Sequence, residues 1–320
     1  MTRNFKIDNL KGLLIFLVVW GHLLECFTGD LRLWIYLIIY SFHMPAFAYT
    51  TGYFSRFDPK RIVNKIWYPY CIYQILYLIF QRFYLQEKNT FQFTTPYWLL
   101  WYFVSSTFWM FILLILEKSQ TRRIKLILMT ISVALLVGFD NSIGYYLSLS
   151  RTLVLFPFYL AGYYHYLDDF SKQNIHKFGR IFCSIGIFLS IIAIWCFRGY
   201  IQASWFYHAL PYKENDNCIY IRLLIFFVSI LWLLFLSSAI PGYKIKIISK
   251  MGQNTISIFL IHGFAVKFLN KINFFHWTEV KNIFVSLILA CAFCIILGND
   301  KIVQIFEITF NANNIKKYKN

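Results

Sequence analysis

Residues 11–25 read KGLLIFLVVWGHLLE, a strongly apolar stretch with a lysine at its start and His22 and Glu25 near its far end. On an ideal helix, residues eleven apart lie only about 20° apart around the axis and about 16 Å apart along it. Lys11 and His22 therefore share a face, with Lys11 near one membrane surface and His22 well inside the apolar layer. Glu25 follows His22 by three positions, on the same face one turn on. Three ionisable groups on one stripe of a hydrophobic helix are costly to keep in lipid, and this marks the stripe as a candidate functional site.

The 320 residues are 59% hydrophobic and 21% aromatic with only 14% charged, a composition that points to an all-α polytopic membrane protein. The net charge of +17 does not indicate a nucleic-acid partner, because the basic residues sit in short gaps between apolar runs. Ten spanning segments are expected, at roughly 10–28, 32–54, 66–85, 97–116, 124–139, 151–167, 180–198, 219–237, 253–270 and 283–298. With the N-terminus inside, 21 of the 31 basic residues fall on the cytoplasmic side, so both termini are expected in the cytoplasm. The alternation fails at one place, the last outer connection, where Lys267, Lys271 and Lys281 equal an inner loop in number. The first run has no small-residue cleavage site and long runs follow it, so it reads as a helix and not a signal peptide. Residues 1–310 are expected to form one membrane domain, with a short basic tail over 311–320. The seven cysteines are irregularly spaced, mostly within apolar runs, and suggest neither a disulfide framework nor a metal site.

Further polar residues interrupt the apolar segments. The second contains SFHMPAFAYTTGYF (41–54), with His43 near mid-span and Pro45 two residues on. A proline there frees a backbone carbonyl and bends the helix, so His43 is placed to face a cavity. The ninth reads GQNTISIFLIHGF (252–264), with His262 deep in an apolar run. The assigned topology gives His22, His43 and His262 similar depth, which suits one shared polar cavity. The sixth begins with Arg151 at its outer edge and continues LVLFPFYLAGYY (153–164). Arg151 is placed to bind an anion or a polar acceptor from outside. The aromatic residues Trp205, Phe206, Tyr207 and Tyr212 of the largest outer loop read as an interfacial belt.

A basic residue, ten intervening residues and a histidine, here Lys11 and His22 within DNLKGLLIFLVVWGH, resemble the first-helix motif of the membrane acyltransferase family 3 proteins. SFHMPAFAYTTGYF, LVLFPFYLAGYY and GQNTISIFLIH resemble three later motifs of that family in the same order. The resemblance runs from residue 8 to residue 262. Many members carry arginine where Lys11 stands; lysine keeps the charge but lacks the planar fork.

The resemblance implies transfer of an acyl group, usually acetyl from acetyl-CoA, to a hydroxyl of a bacterial surface polysaccharide or its precursor, at the cytoplasmic membrane. A small-molecule acceptor is the alternative within the family. Outside it, a transporter or flippase of envelope precursors would also need buried histidines and an arginine, although no pair of related halves is visible. His22 is then the expected base or acyl carrier, oriented by Glu25, with Lys11 holding phosphates of CoA. His43 and Arg151 are expected to position the acceptor or stabilise the oxyanion, and His262 to contact substrate. No metal is expected.

Overall fold

The computed structural model describes residues 4–87, 92–167 and 177–313, and all regular structure among them is helical. In chain order the helices are α1 (Phe5–Leu24), α2 (Asp30–Tyr40), α3 (His43–Tyr53), α4 (Pro59–Ile62), α5 (Tyr68–Phe80), α6 (Trp101–Glu117), α7 (Arg123–Leu136), α8 (Leu149–Leu167), α9 (Lys177–Phe197), α10 (Ile219–Ala239), α11 (Lys246–Gln253), α12 (Thr255–Lys271), α13 (Glu279–Leu297), α14 (Asp300–Ile305) and α15 (Glu307–Phe310). Each of the ten apolar segments falls on one of these helices or on a helical run.

Among the described residues, six helical stretches are long and apolar enough to cross a membrane: Phe5–Leu24, Asp30–Tyr53, Trp98–Glu117, Gly179–Phe197, Ile219–Ala239 and Glu279–Leu297. Helices α7 and α12 are shorter, with 14 and 17 residues. The 59–85 run is divided by π-turns at Val63–Trp67 and Gln81–Leu85. The first of these precedes Pro69, which has no N–H to return to the preceding turn. The charges Arg3, Lys172, Lys316, Lys317 and Lys319, and residues 314–320 of the expected tail, lie outside the described residues.

The chain forms two compact units. The first comprises residues 1–32, 57–107 and 243–320. It is built around α1, against which α11, α12 and α13 pack. The side chain of Asn4 caps α1 by accepting from the backbone N–H groups of Lys6 (3.1 Å) and Ile7 (3.4 Å). Helices α1 and α11 approach closely enough that a Cβ on Gly12 would sit 2.0 Å from the Ile248 carbonyl oxygen, and one on Gly252 would sit 1.8 Å from that of Asp8. Buried Asn9 joins the same contact: its Oδ1 accepts from Ser249 Oγ at 2.6 Å and its Nδ2 donates to the Tyr243 carbonyl at 2.9 Å.

The second unit comprises residues 33–56 and 108–242. Helices α3 and α8 form its central contact through reciprocal glycines. A Cβ on Gly52 would lie 1.9 Å from the Tyr159 carbonyl oxygen, and one on Gly162 would lie 2.0 Å from that of Tyr49. The bend expected at Pro45 falls at Ser41–Phe42, between α2 and α3. The carbonyl four residues before Pro45 is that of Ser41, and it accepts instead from Ser229 Oγ of α10 at 2.6 Å.

The belt expected in the outer loop is not what that segment forms. Phe206 and Tyr212 are buried, and the loop folds on itself through Trp205 Nε1 donating to the Asn215 carbonyl at 2.8 Å and Asn215 Nδ2 donating to the Ser204 carbonyl at 3.2 Å. Its many polar groups find one another, which turns the aromatic rings inward.

Candidate active site

In the first unit the last turn of α1 carries His22, and Glu25 follows immediately after the helix. The end of the helix is fixed by Arg32, whose Nε donates to the Leu24 carbonyl at 2.5 Å and whose backbone N–H donates to Glu279 Oε1 at 2.8 Å. His22 Nδ1 lies 3.4 Å from Glu25 Oε1, with side-chain exposures of 14% and 31%. An ionised carboxylate can only accept, so this contact favours the tautomer with the proton on Nδ1 and leaves Nε2 with a lone pair. In that tautomer the imidazole can act as a base, with the carboxylate holding its orientation.

Trp98 and His262 both pack against the imidazole. Trp98 meets it edge-on, with centroids 4.5 Å apart and an interplanar angle of 61°. His262 of α12 stacks on it at 5.6 Å and 21°. His262 is fully buried, and its Nδ1 donates to the Ile258 carbonyl at 2.8 Å. That bond assigns the lone pair to Nε2, which is buried and has no hydrogen-bond partner among the described residues. A buried acceptor left open beside a second imidazole suits a hydroxyl donor.

Trp98 adopts a left-handed backbone, φ +35°, which is costly for a bulky side chain. Its loop is anchored by buried Gln74 of α5. Gln74 Nε2 donates to the Gln92 carbonyl at 2.8 Å and the Thr95 carbonyl at 3.3 Å, and its Oε1 accepts from the Tyr97 N–H at 2.8 Å. Gly263 makes room for the indole: a Cβ there would come within 3.1 Å of Trp98 Cζ3 and 2.3 Å of the Tyr77 hydroxyl. The ammonium of Lys267 lies 4.7 Å from the centroid of the Trp98 ring system. Lys11 stands on the same helix as His22, three turns before it and half-buried.

His43 and Arg151 belong to the second unit. His43 is buried, its Nδ1 donates to the Ile39 carbonyl at 2.8 Å, and its ring packs edge-on against Tyr40 at 4.6 Å. Tyr40 stacks on Tyr36 at 3.9 Å, and the Tyr36 and Tyr207 hydroxyls share a 2.6 Å hydrogen bond. Arg151 Nε donates to the Tyr207 carbonyl at 3.2 Å, and its guanidinium carbon lies 5.2 Å from the centroid of the Tyr145 ring. Tyr207 thus joins the neighbourhoods of His43 and Arg151. Next to it in the loop, His208 is fully enclosed and its carbonyl accepts from Ser150 Oγ at 2.7 Å. Burial first, then the nearby Arg222 and Arg151 charges, pushes the His208 imidazole down to about 3.

Of the six residues singled out in the sequence, the structure gathers His22, Glu25 and His262 into one cluster and places His43 and Arg151 around a shared tyrosine. Trp98, Gln74, Tyr36 and Tyr40 carried no signal beyond aromatic or amide character. Lys267 did, as part of the connection expected on the outer side, where the charge alternation failed. No group of three or more metal-ligating side chains occurs among the described residues.

The acyltransferase domain of the acyltransferase 3 type matches residues 4–299. The chain belongs to the acyltransferase 3 family. The match includes Lys11, His22, Glu25, His43, Arg151 and His262, and with the apolar helices it makes the protein a membrane acyltransferase. A curated relative, the nodulation protein NolL of Mesorhizobium japonicum, is 24% identical over 337 residues, covering 92% of this chain and 85% of NolL. No solved structure matches significantly.

Proposed function

We propose that this acyltransferase moves an acetyl group from acetyl-CoA to a hydroxyl of a bacterial surface polysaccharide or its precursor. The observation that carries the reading is the His22–Glu25 contact, which presents an imidazole lone pair beside a second buried histidine. An alcohol is a weak nucleophile at neutral pH, and a base within hydrogen-bond reach makes it competent. His22 Nε2 takes the hydroxyl proton as the oxygen bonds to the thioester carbonyl carbon. The C–S bond then breaks, and the departing CoA thiolate recovers the proton from His22. Glu25 stabilises the imidazolium between these steps. His262 Nε2 accepts from the same hydroxyl or a neighbouring one.

The membrane arrangement we infer has ten spans in a bacterial cytoplasmic membrane with both termini cytoplasmic. The Lys11 end of α1 then faces the cytosol, where acetyl-CoA resides. Lys6 and Lys11 lie on α1, and the Lys244 ammonium is 6.0 Å from the centroid of the Phe5 ring at the start of that helix. Ammonium groups of this kind suit the phosphates of CoA. Acetyl-CoA supplies the activated thioester; the chain supplies the base and its orientation. The test is surface-polysaccharide acetylation in cells carrying wild type, His22→Gln or no protein at matched membrane levels. Loss of acetyl esters in both the null and the variant supports the reading, and retention of every ester in the null excludes that polymer as acceptor.

A further inference from the structure

Positive charge at the outer end of a membrane protein runs against its insertion bias. Of the three lysines that break the alternation, two have structural partners. Lys271 Nζ donates to the Leu85 carbonyl at 3.0 Å, and Lys281 Nζ lies 5.3 Å from the centroid of the Trp277 ring system, in the loop preceding its own helix. Lys267 differs. It is half-buried, forms neither an ion pair nor a side-chain hydrogen bond with a described residue, and packs on the Trp98 ring, with its charge also reaching Cys26. That same ring touches His22. The ammonium and the imidazole therefore lie at most about 9 Å apart, measured through one indole. A partly desolvated ammonium that forms no ion pair with a described acid is costly to maintain, and an anionic ligand would compensate it.

We propose that Lys267 is a specificity-determining residue that binds a carboxylate or phosphate carried by the acceptor, so that the enzyme selects acidic acceptors for transfer at His22. The inference rests on the reading of His22 as the base. Lys267 lies one turn beyond Gly263 on α12, in the cluster at the His22 end of α1. The lysines suited to CoA phosphates are at the other end of α1, about 16 Å from His22 along the axis. A sugar residue and its acidic substituent bridge the distance between His22 and Lys267. Trp98, between them, offers an apolar edge to the sugar ring.

A phosphate of the donor has the same ammonium chemistry, so the test separates the two sources. Wild type, Lys267→Met and Lys267→Arg are placed in lipid nanodiscs. Binding of methyl β-D-glucuronide, methyl β-D-glucoside and CoA to each is measured by saturation-transfer NMR. The two glycosides differ in the carboxylate. The expected result is a preference of about tenfold for the glucuronide in wild type. That preference is lost in Lys267→Met, kept in Lys267→Arg, and accompanied by unchanged CoA binding. Equal binding of the two glycosides, binding of neither, or an intact preference in Lys267→Met would overturn the proposal. Weakened CoA binding in Lys267→Met with glucuronide binding intact would overturn it too, by assigning the anion to the donor. Lys267→Gln replaces Lys267→Met if the latter does not fold. His22→Gln should keep the glucuronide preference while losing transfer. If His22→Gln still transfers acetyl, the base assignment fails separately from the anion site.

Discussion

His22 Nδ1 faces Glu25 Oε1 at 3.4 Å across one turn at the end of α1, at the outer limit of a hydrogen bond. In an enzyme awaiting substrate such contacts are often long and tighten in the reacting complex. Glu25→Gln keeps the shape but removes the charge that favours the Nδ1–H tautomer and the imidazolium. The expected loss is roughly 100-fold in kcat with little change in the KM for acetyl-CoA. In a His22→Gln background the same substitution should cost nothing further, since the carboxylate acts through the imidazole. Labelled acetyl transfer by the four proteins of this cycle measures it.

Trp98 holds the other side of the imidazole, and its left-handed backbone is maintained by Gln74 and by the space at Gly263. Trp98→Leu is expected to lower kcat by about 10–100-fold by loosening His22, and Gln74→Leu to do the same in part. Nitrogen NMR of histidine-labelled protein, with His22 assigned by its loss in His22→Gln, should show the Nδ1–H tautomer weakened in both. An unchanged tautomer in Trp98→Leu would contradict the role given to the indole.

The α3–α8 crossing has no room for a methyl group at Gly52 or Gly162, because each faces a backbone carbonyl and not a flexible side chain. Either glycine-to-alanine change should destabilise the second unit by about 2 kcal/mol or more. The double change should cost less than the sum, since separating the helices once relieves both clashes. Thermal unfolding in detergent gives the comparison.

The fold was legible in the apolar runs because every segment must satisfy its own backbone in lipid, and helix is the solution that leaves each run intact. The bend before Pro45 was legible for the same reason, although the break itself lies at Ser41–Phe42 and its stabilising partner, Ser229, lies 188 residues away. His22 and Glu25 stood out by spacing on one helix. The meeting of His22 with His262, 240 positions apart, depends on how α12 packs on α1, which periodicity does not encode. Trp98 was invisible because a tryptophan at the head of an apolar run is ordinarily an interfacial anchor. Tyr207 misled for the same reason: its loop turns inward to satisfy its own polar groups.

His208 has its imidazole pushed down to about 3 from an ordinary 6.5 by burial and by the neighbouring arginines. Between those values the unfolded chain binds a proton that the folded chain does not. Stability should therefore be unaffected by this group above about pH 6.5 and fall as the pH drops below it, at up to about 1.4 kcal/mol per pH unit. Unfolding in detergent across pH 4–7 should show this slope in wild type and a shallower one in His208→Gln.

The most direct test of the account is acetyl transfer by purified protein in nanodiscs, with labelled acetyl-CoA and surface polysaccharide from cells lacking the protein. Wild type and His22→Gln are compared at equal amounts of folded protein. The account predicts label in the polymer with wild type and a rate at least about 100-fold lower with His22→Gln. Transfer by His22→Gln at the wild-type rate would contradict it.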